Sequence, residues 1–180
     1  PWLGTQPVEA LQEDRDGNLW VALSENMVRL RDGRVTERIA GDHGAVAFRS
    51  ILEDREGNLW LGSMLNGVTR LWNGWTRRYS ISEGLNNPVL WSVAPGPDGT
   101  VFAGTNDGVE LWADGRFHPW IAGARLPHPA AYTLLPDGED GLWIGTRSGA
   151  AHARGRRIVP MPALEPMRHA QISAIVRDEH

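Results

Sequence analysis

A repeated segment constrains this chain more than any other feature of its sequence. Residues 53–60 restate residues 13–20 with a single change, Glu56 for Asp16. Weaker copies follow at 97–105 and 137–146, the last of which we interpret as carrying two extra residues in its turn. The aromatic residue of each copy recurs at Trp20, Trp60, Phe102 and Trp143, which gives spacings of 40, 42 and 41 residues. A fixed period near forty residues predicts a solenoid or a propeller.

The second repeat predicts a meander of four strands. Residues 48–53 and 59–63 have strand-like apolar patterns, and the Asp, Gly and Asn residues between them suit a tight turn. Two further strands, at 68–72 and 75–79, flank a two-residue hairpin turn at Asn73-Gly74. The other repeats place the equivalent hairpin turns at Asp32-Gly33, Asp114-Gly115 and Arg154-Gly155.

Four such units predict an all-β chain. Four-stranded units of even spacing, with periodic Gly and aromatic residues, indicate a β-propeller, whose blades pack face to face around an axis. We place antiparallel blades at about 8–39, 47–79, 89–121 and 131–159, and the first strand of a fifth blade at 171–180. Residues 1–180 are therefore predicted to form one partial propeller. Further blades of the same chain, or a second copy, are expected to cover its two outer sheets.

The recurring residues have structural roles in this arrangement. The large rings of Trp20, Trp60, Phe102 and Trp143 are expected to fill the wedges between blades. Glycines provide the turns at Gly17, Gly57 and Gly99, and they permit close approach of neighbouring backbones at Gly62, Gly104 and Gly145. The first repeat has Met27 where the others have Gly67, Gly108 and Gly149. The loop before Met27 should therefore have a different backbone shape, because a positive φ is unfavourable for Met.

Composition excludes several classes of function. The formal net charge of -4 and the pI near 5.9 give no electrostatic basis for binding nucleic acid. The chain has no Cys, and all 18 of its basic residues are Arg, which excludes thiol nucleophiles and lysine Schiff bases. No apolar run approaches the roughly 18 residues of a membrane span, so contact with a membrane is expected only through downstream segments.

The second repeat also resembles a known family. It reads Glu-Asp-Arg-Glu-Gly-Asn-Leu-Trp-Leu-Gly-Ser at 53–63 and Glu-Gly-Leu-Asn-Asn-Pro-Val at 83–89. Between these lie Asn66-Gly67-Val68, Arg70-Leu71, Asn73-Gly74 and Tyr79. This pattern resembles the two-component regulator propeller repeat. The resemblance extends over the chain, but it is weaker in the third repeat, where Gly96 and Phe102 replace Asp and Trp, and in the fourth.

The resemblance implies a biological setting. In that family such repeats build periplasmic sensor propellers, usually of seven blades, in hybrid two-component or diguanylate cyclase receptors. By this resemblance the chain would be a periplasmic, non-catalytic sensor or interaction module. It would bind a small molecule, a glycan fragment or a partner domain. Two other interpretations remain open, an enzyme of the streptogramin-lyase kind and a purely structural scaffold.

No constellation of catalytic or metal-binding residues is recognised. Residues 14–18 resemble the start of a calcium loop, but the distal Glu that would complete the ligand set is absent. The six His residues show no spacing typical of a metal site, and the paired acids beside the turns are explained by the turns themselves. We therefore predict no catalytic residue, no metal and no cofactor.

The loops suggest where a ligand would bind. In a four-stranded meander the second turn lies at the same end as the connection between blades, and these loops are longer and more varied than the turns at the other end. They are predicted to bring a mixed polar rim around the axis, able to bind a sugar or a carboxylate, with Arg147 as the strongest single candidate. The rim comprises Glu25, His43, Asn66, Asn87, Asp107, Arg125, His128, Arg147 and His169.

Overall fold

The computed structural model of the chain describes residues 6–40, 48–72, 75–138 and 140–178. Within these residues, sixteen strands form four antiparallel sheets of four strands, and each sheet comes from one repeat. The predicted all-β propeller architecture is thereby confirmed. His43, Asn73 and Gly74 lie outside the described residues.

The strands follow one another in chain order within each blade. The first blade contains β1 (Val8–Glu13), β2 (Leu19–Leu23), β3 (Asn26–Arg31) and β4 (Arg34–Ala40). The second contains β5 (Phe48–Glu53), β6 (Leu59–Ser63), β7 (Val68–Trp72) and β8 (Trp75–Tyr79). The third contains β9 (Leu90–Pro95), β10 (Val101–Thr105), β11 (Gly108–Ala113) and β12 (Arg116–Ala122). The fourth contains β13 (Ala131–Asp137), β14 (Gly141–Thr146), β15 (Ala150–Arg154) and β16 (Arg157–Val159). Short 3₁₀ turns occur at Ile81–Glu83, Pro97–Gly99, Gly123–Arg125 and Pro162–Met167.

The first strand of each blade is the innermost. Strands β1, β5, β9 and β13 pack against one another from blade to blade, whereas the fourth strands form the outer edges. Separate apolar cores fill the three junctions between the blades. The core is therefore a series of wedges between sheets, as the even spacing of the aromatic residues predicts.

Aromatic rings occupy these wedges. Trp60 is fully buried between the second and third blades, where its ring centroid lies 5.8 Å from that of Tyr79 and 4.8 Å from that of Trp112. In the next junction the ring of Phe102 lies 4.8 Å from Trp120. Trp143 is less buried, since it lies on the face of the fourth blade turned away from the third, and it stacks on His152. Trp20, Trp60 and Phe102 thus lie in junctions between described blades, whereas a wedge position for Trp143 stays a prediction.

Glycine allows the close approach of blades at two of the predicted positions in particular. A Cβ atom on Gly104 would lie 2.6 Å from the carbonyl oxygen of Ala131 in the next blade. A Cβ atom on Gly145 would lie 2.8 Å from the carbonyl oxygen of Ile172. Both distances are too short for real Cβ atoms, so a larger residue would push the next innermost strand away.

The first blade departs from the others at Met27, as predicted. Gly67, Gly108 and Gly149 have φ values of 72°, 102° and 95°, whereas Met27 lies inside β3 and is fully buried. Strand β3 therefore begins two residues earlier relative to the repeat than β7 does. The substitution of Met for Gly is accommodated by extended backbone rather than by strain.

The hairpin turns differ from the prediction in the fourth blade. Asp32-Gly33 and Asp114-Gly115 form two-residue turns in which all four φ values are positive. In the fourth blade Arg154 pairs with Arg157, so the turn is Gly155-Arg156 and lies one residue later than predicted. Gly155, with a φ of 52°, supplies the positive φ at the first central position instead of the second.

The turn between β13 and β14 also corrects the sequence interpretation. Asp137 pairs with Gly141 and precedes Trp143 by the same six positions that separate Asp54 from Trp60. No residue is inserted in this turn. The Gly138 that follows Asp137 resembles the turn glycine of the other repeats, but it occupies the place of Arg55.

Residues 171–178 extend along the fourth blade where the innermost strand of a next blade would lie. Gly149 N–H donates to the Ala170 carbonyl just as Gly108 N–H donates to that of Pro129, and Ile172 N–H donates to Thr146. The segment pairs with no further strand among the described residues, so the first strand of a fifth blade stays a prediction. Val176 is 87% exposed there, and Leu11 on the first blade is 61% exposed. Covering of these faces by further blades or a second copy stays a prediction.

Candidate functional site

A β-bulge recurs in the innermost strand of every blade. Near the beginning of β1, β5, β9 and β13 the pairing with the second strand skips one residue. Bulges redirect the side chain of the extra residue, and they are frequent beside binding sites. The skipped residues are Glu9, Arg49, Trp91 and Tyr132. Each blade thus presents one side chain at the same height, near the axis.

These four side chains contact one another in sequence around the axis. Glu9 Oε2 accepts a hydrogen bond of 2.6 Å from Arg49 Nη1, and the two groups form an ion pair. The Arg49 guanidinium lies 5.9 Å from the centroid of the Trp91 ring, which in turn lies 4.5 Å from that of Tyr132. An acid, a base and two aromatic rings therefore form one continuous line, which we call the axial row. All four are partly exposed.

The loop after the second strand of each blade adds a second layer to the axial row. Ser24 Oγ donates to Glu9, Arg49 Nη2 donates to Met64 Sδ, and Trp91 Nε1 donates to Asn106 Oδ1 at 2.7 Å. The equivalent residue of the fourth blade is Arg147. Its side chain is exposed and has no hydrogen bond or ion pair among the described residues. A free guanidinium therefore stands at the position from which the other three loops contact the row.

Seven of the eight described rim residues divide into two groups. Glu25, Asp107, Arg147 and His169 are exposed loop residues at the loop end of the sheets, and Glu25 accepts a hydrogen bond from Gln6. Asn66, Asn87 and His128 shape their own loops. Asn66 N–H donates to Ser63 Oγ, Asn87 Oδ1 accepts from Val89 N–H, and His128 Nδ1 accepts from Ala130 N–H. No hydrogen bond, ion pair or ring contact joins any two of the eight rim residues that the structure describes.

Arg125 points away from the axis. Its Nη1 donates to the carbonyl of Arg156 at 2.9 Å, in the outer hairpin of the fourth blade. The guanidinium therefore links the segment between β12 and β13 to the outer edge of the propeller. Arg125 is not part of the candidate site.

The axial row was not predicted from the sequence, although the innermost strands contain a signal for it. When the innermost strands are aligned by the repeat, their first four positions are in turn apolar, variable, small and aliphatic. The four aligned segments are Val8-Glu9-Ala10-Leu11, Phe48-Arg49-Ser50-Ile51, Leu90-Trp91-Ser92-Val93 and Ala131-Tyr132-Thr133-Leu134. One position varies between an acid, a base and two aromatic residues while its neighbours keep their character. Variation confined to one position of a structural repeat indicates recognition rather than packing.

One buried acid lies close to this end of the third blade. Glu110 in β11 is 1% exposed, and its carboxylate accepts a single hydrogen bond, of 3.2 Å, from Asn86 N–H. Its Oε2 atom is buried without a partner. Burial raises the pKa of Glu110, the negative charge of Asp107 raises it further, and the Asn86 hydrogen bond opposes them.

We expect Glu110→Gln to stabilise the chain at pH 7 by about 1–3 kcal/mol, the scale of an unsatisfied buried polar group. Because the folded pKa is raised, the unfolded chain releases this proton first as pH increases, so the wild type loses stability above the ordinary pKa of Glu. The variant lacks this loss, and its advantage should vanish near pH 4. Urea unfolding at both pH values checks this. Glu56→Gln, an exposed control, should change neither value, and a destabilised Glu110→Gln at pH 7 would contradict the assignment.

The described residues were searched for clusters of metal ligands and for membrane-spanning helices. In 6–40, 48–72, 75–138 and 140–178, no three His, Cys, Asp or Glu side chains converge as a set of metal ligands. The same part of the chain has no helix that is long and apolar enough to cross a bilayer.

The four sheets and the axial row define a segment of a β-propeller with partly exposed charged and aromatic side chains at one end of its axis. Solved structures share this fold. The extracellular domain of a protein assigned to the hybrid two-component systems of B. thetaiotaomicron superposes with a TM-score of 0.68 at 18% identity, over 82% of this chain and 21% of the other. Virginiamycin B lyase from Staphylococcus aureus, solved with quinupristin, gives a TM-score of 0.70 at 19% identity over 88% and 58%.

A gluconolactonase from Xanthomonas campestris gives a TM-score of 0.65 at 15% identity, over 86% of this chain and 62% of the other. The chain thus spans about a fifth of that extracellular domain and less than two thirds of each enzyme. At these identities the likeness establishes the fold alone. Among curated proteins no sequence matches the chain.

A family model matches two of the repeats. The family model described as the two-component regulator propeller matches residues 2–25 and 44–64, which contain the signature segments of the first two repeats. Residues 2–25 and 44–64 therefore carry two-component regulator propeller repeats, and the resemblance noted in the sequence is confirmed.

Proposed function

We propose that this chain is a non-catalytic, ligand-binding part of a periplasmic sensor propeller, and that its ligand binds over the axial row. One observation carries the proposal. Each blade contributes a single side chain from a bulge in its innermost strand, and the four make a continuous line of contacts from Glu9 to Tyr132. Packing alone does not require an acid, a base and two aromatic rings at one repeat position.

The chemistry of the row favours a glycan fragment that carries an acidic group. Partly exposed Trp91 and Tyr132 offer ring faces on which a sugar ring can stack, and Trp and Tyr combine apolar area with polar edges. Arg147 has no partner among the described residues and can bind a carboxylate through two parallel hydrogen bonds. Arg49 is already paired with Glu9, so it is better suited to hydroxyl groups than to a second anion.

The sensor setting is supported by the repeats. Two-component regulator propeller repeats are present, and the extracellular domain of a two-component protein shares the fold. These findings favour a location outside the cytoplasm and an output elsewhere in a longer receptor.

Calorimetric titration of the whole chain with neutral and uronic-acid oligosaccharides tests the proposal. Trp91→Ala should weaken binding of the best oligosaccharide about tenfold or more, as loss of a central aromatic contact does. Arg147→Ala should weaken only the acidic ligands. Trp75→Ala and Arg125→Ala are matched controls remote from the row, and they should bind as the wild type does. Equal affinity of all four variants, or no binding of any oligosaccharide, would contradict the proposed site.

The enzyme alternative is separated by a second measurement. Virginiamycin B lyase shares the fold, so virginiamycin B is the substrate to offer, with divalent metal ions added. We expect no turnover. Conversion of virginiamycin B by the wild type would contradict the non-catalytic assignment, whatever the oligosaccharide titrations show.

A further inference from the structure

A cavity of about 570 Å³ lies at the opposite end of the sheets from the axial row. The turns of the second, third and fourth blades enclose it. Phe102 and three prolines, Pro95, Pro97 and Pro136, form apolar walls, while Arg55 and Asp98 bring charges to its lining. The cavity thus combines apolar surface with one guanidinium, as sites for small molecules commonly do.

At the junction between the first and second blades, an arginine of this end of the sheets holds a carboxylate of the same chain. There Arg15 Nε donates to Glu53 Oε1 at 2.6 Å, and Arg15 N–H donates to Glu53 Oε2 at 2.7 Å. Arg15 Nη2 also donates to the carbonyl of Asp54. One arginine therefore holds a carboxylate of the next blade by its backbone and its side chain together.

The same carboxylate is missing at the next junction. When the repeats are aligned, Arg55 is equivalent to Arg15, but the residue equivalent to Glu53 is Pro95. Proline has no carboxylate that could accept a hydrogen bond from Arg55. Within the described residues Arg55 has no hydrogen bond or ion pair from its N–H or its guanidinium, and it lines the cavity. The donors that bind a carboxylate in one junction are thus present without one in the next.

We propose that this cavity binds a small monocarboxylate with an apolar ring. Its carboxylate would take the place that the Glu53 carboxylate has beside Arg15, bound by Arg55 N–H and Nε–H. Its ring would pack on Phe102 and the proline walls. The negative charge of Asp98 in the lining disfavours ligands with a second anionic group. This site is independent of the proposed function, since it lies at the other end of the blades.

Benzoate is the probe, and benzamide is its neutral counterpart of the same shape. We expect titration of the whole chain, followed by NMR, to shift the Arg55 amide and Nε–H signals with benzoate but not with benzamide. Arg55→Gln should weaken benzoate binding about tenfold or more, because a charged hydrogen-bond donor is lost. Arg15→Gln is the matched control and should leave benzoate binding unchanged, since Arg15 already holds Glu53.

Introducing the missing carboxylate by substitution provides a second, independent test. Pro95→Glu should restore the pair seen in the first junction, raise the melting temperature and abolish benzoate binding while Arg55 is intact. The proposal is overturned if benzoate shifts no Arg55 signal, if Arg55→Gln or Pro95→Glu binds benzoate like the wild type, or if benzamide binds equally well. Phthalate binding as tightly as benzoate would overturn the assignment to monocarboxylates.

Discussion

Trp60→Ala is expected to lower the free energy of unfolding by about 3–5 kcal/mol, the range for deleting a large buried ring. Trp60 is 0% exposed and fills the junction between the second and third blades. Its ring contacts Tyr79 and Trp112, the Arg70 guanidinium lies 5.1 Å from its centroid, and its Nε1 donates to Asp54 at 2.7 Å. Alanine would leave a cavity between two sheets that the other side chains of the junction cannot close.

Trp75→Ala is the matched control, because Trp75 lies on the outer strand of the same blade and is 70% exposed. Its loss should change the free energy of unfolding by no more than about 0.5 kcal/mol, as for most surface substitutions. Urea unfolding followed by far-ultraviolet circular dichroism compares the two variants. Equal shifts of the two midpoints would show that the aromatic rows have been assigned to the wrong faces.

Much of this fold could be predicted because the repeat encodes it locally. A turn such as Asp-Arg-Glu-Gly-Asn contains its own determinants, since Asp54 and Gly57 lie within one loop and need no distant partner to define it. Repetition then shows which features are general. Trp60 could be placed in a wedge because four rings recur with one period, although no contact of any single ring could be read from the sequence.

The two turns of the fourth blade were predicted wrongly, because a glycine in each of them fits two possible registers of the flanking strands. Gly138 follows Asp137, and Gly155 follows Arg154, so each resembles the turn glycine of the other repeats. Pairing of Asp137 with Gly141, and of Arg154 with Arg157, decides the register through hydrogen bonds between strands. Those bonds depend on the whole blade, which local turn preferences do not describe.

The loop face predicted from the sequence and the axial row lie at the same end of the blades, and binding at either one stays a prediction. The loops identified Arg147, whereas Arg125 turns to the outer hairpin and His128 bonds its own loop. Glu9, Arg49, Trp91 and Tyr132 were not predicted, because they lie within strands, whereas the sequence prediction placed the site on loops. The bulge that directs these side chains appears only when the register with the second strand is known.

The aspartate that begins the first turn of a blade makes different contacts in different blades. In the second blade, Asp54 accepts hydrogen bonds from Glu56 N–H, from Asn58 N–H and Nδ2, and from Trp60 Nε1. In the fourth blade Gly141 stands where Asn58 would be. Asp137 there accepts from His152 Nε2 at 3.0 Å and from Arg177 at 2.9 Å. The carboxylate thus links the turn to the aromatic wedge in one blade and to the following segment in another.

Asp54→Asn is therefore expected to cost about 2–4 kcal/mol of unfolding free energy, because several buried donors lose a charged acceptor. Burial opposes ionisation of Asp54, but the hydrogen bonds from Trp60 and Asn58 and the charge of Arg70 outweigh it, so its pKa is lowered. A lowered folded pKa stabilises the chain above the ordinary Asp value and loses that contribution as pH falls through the folded pKa. The deficit of the variant should therefore shrink steadily in acid.

Urea unfolding of the wild type and of Asp54→Asn from pH 7 downward measures this deficit. Asp14→Asn removes the same network around Asn18 and Trp20 in a more exposed turn, so a smaller deficit with the same pH trend is expected. Asp16→Asn changes an exposed acid of the first turn and should have little effect. A deficit for Asp54→Asn that equals that of Asp16→Asn, or that stays constant with pH, would show that the carboxylate does not hold the turn to the wedge.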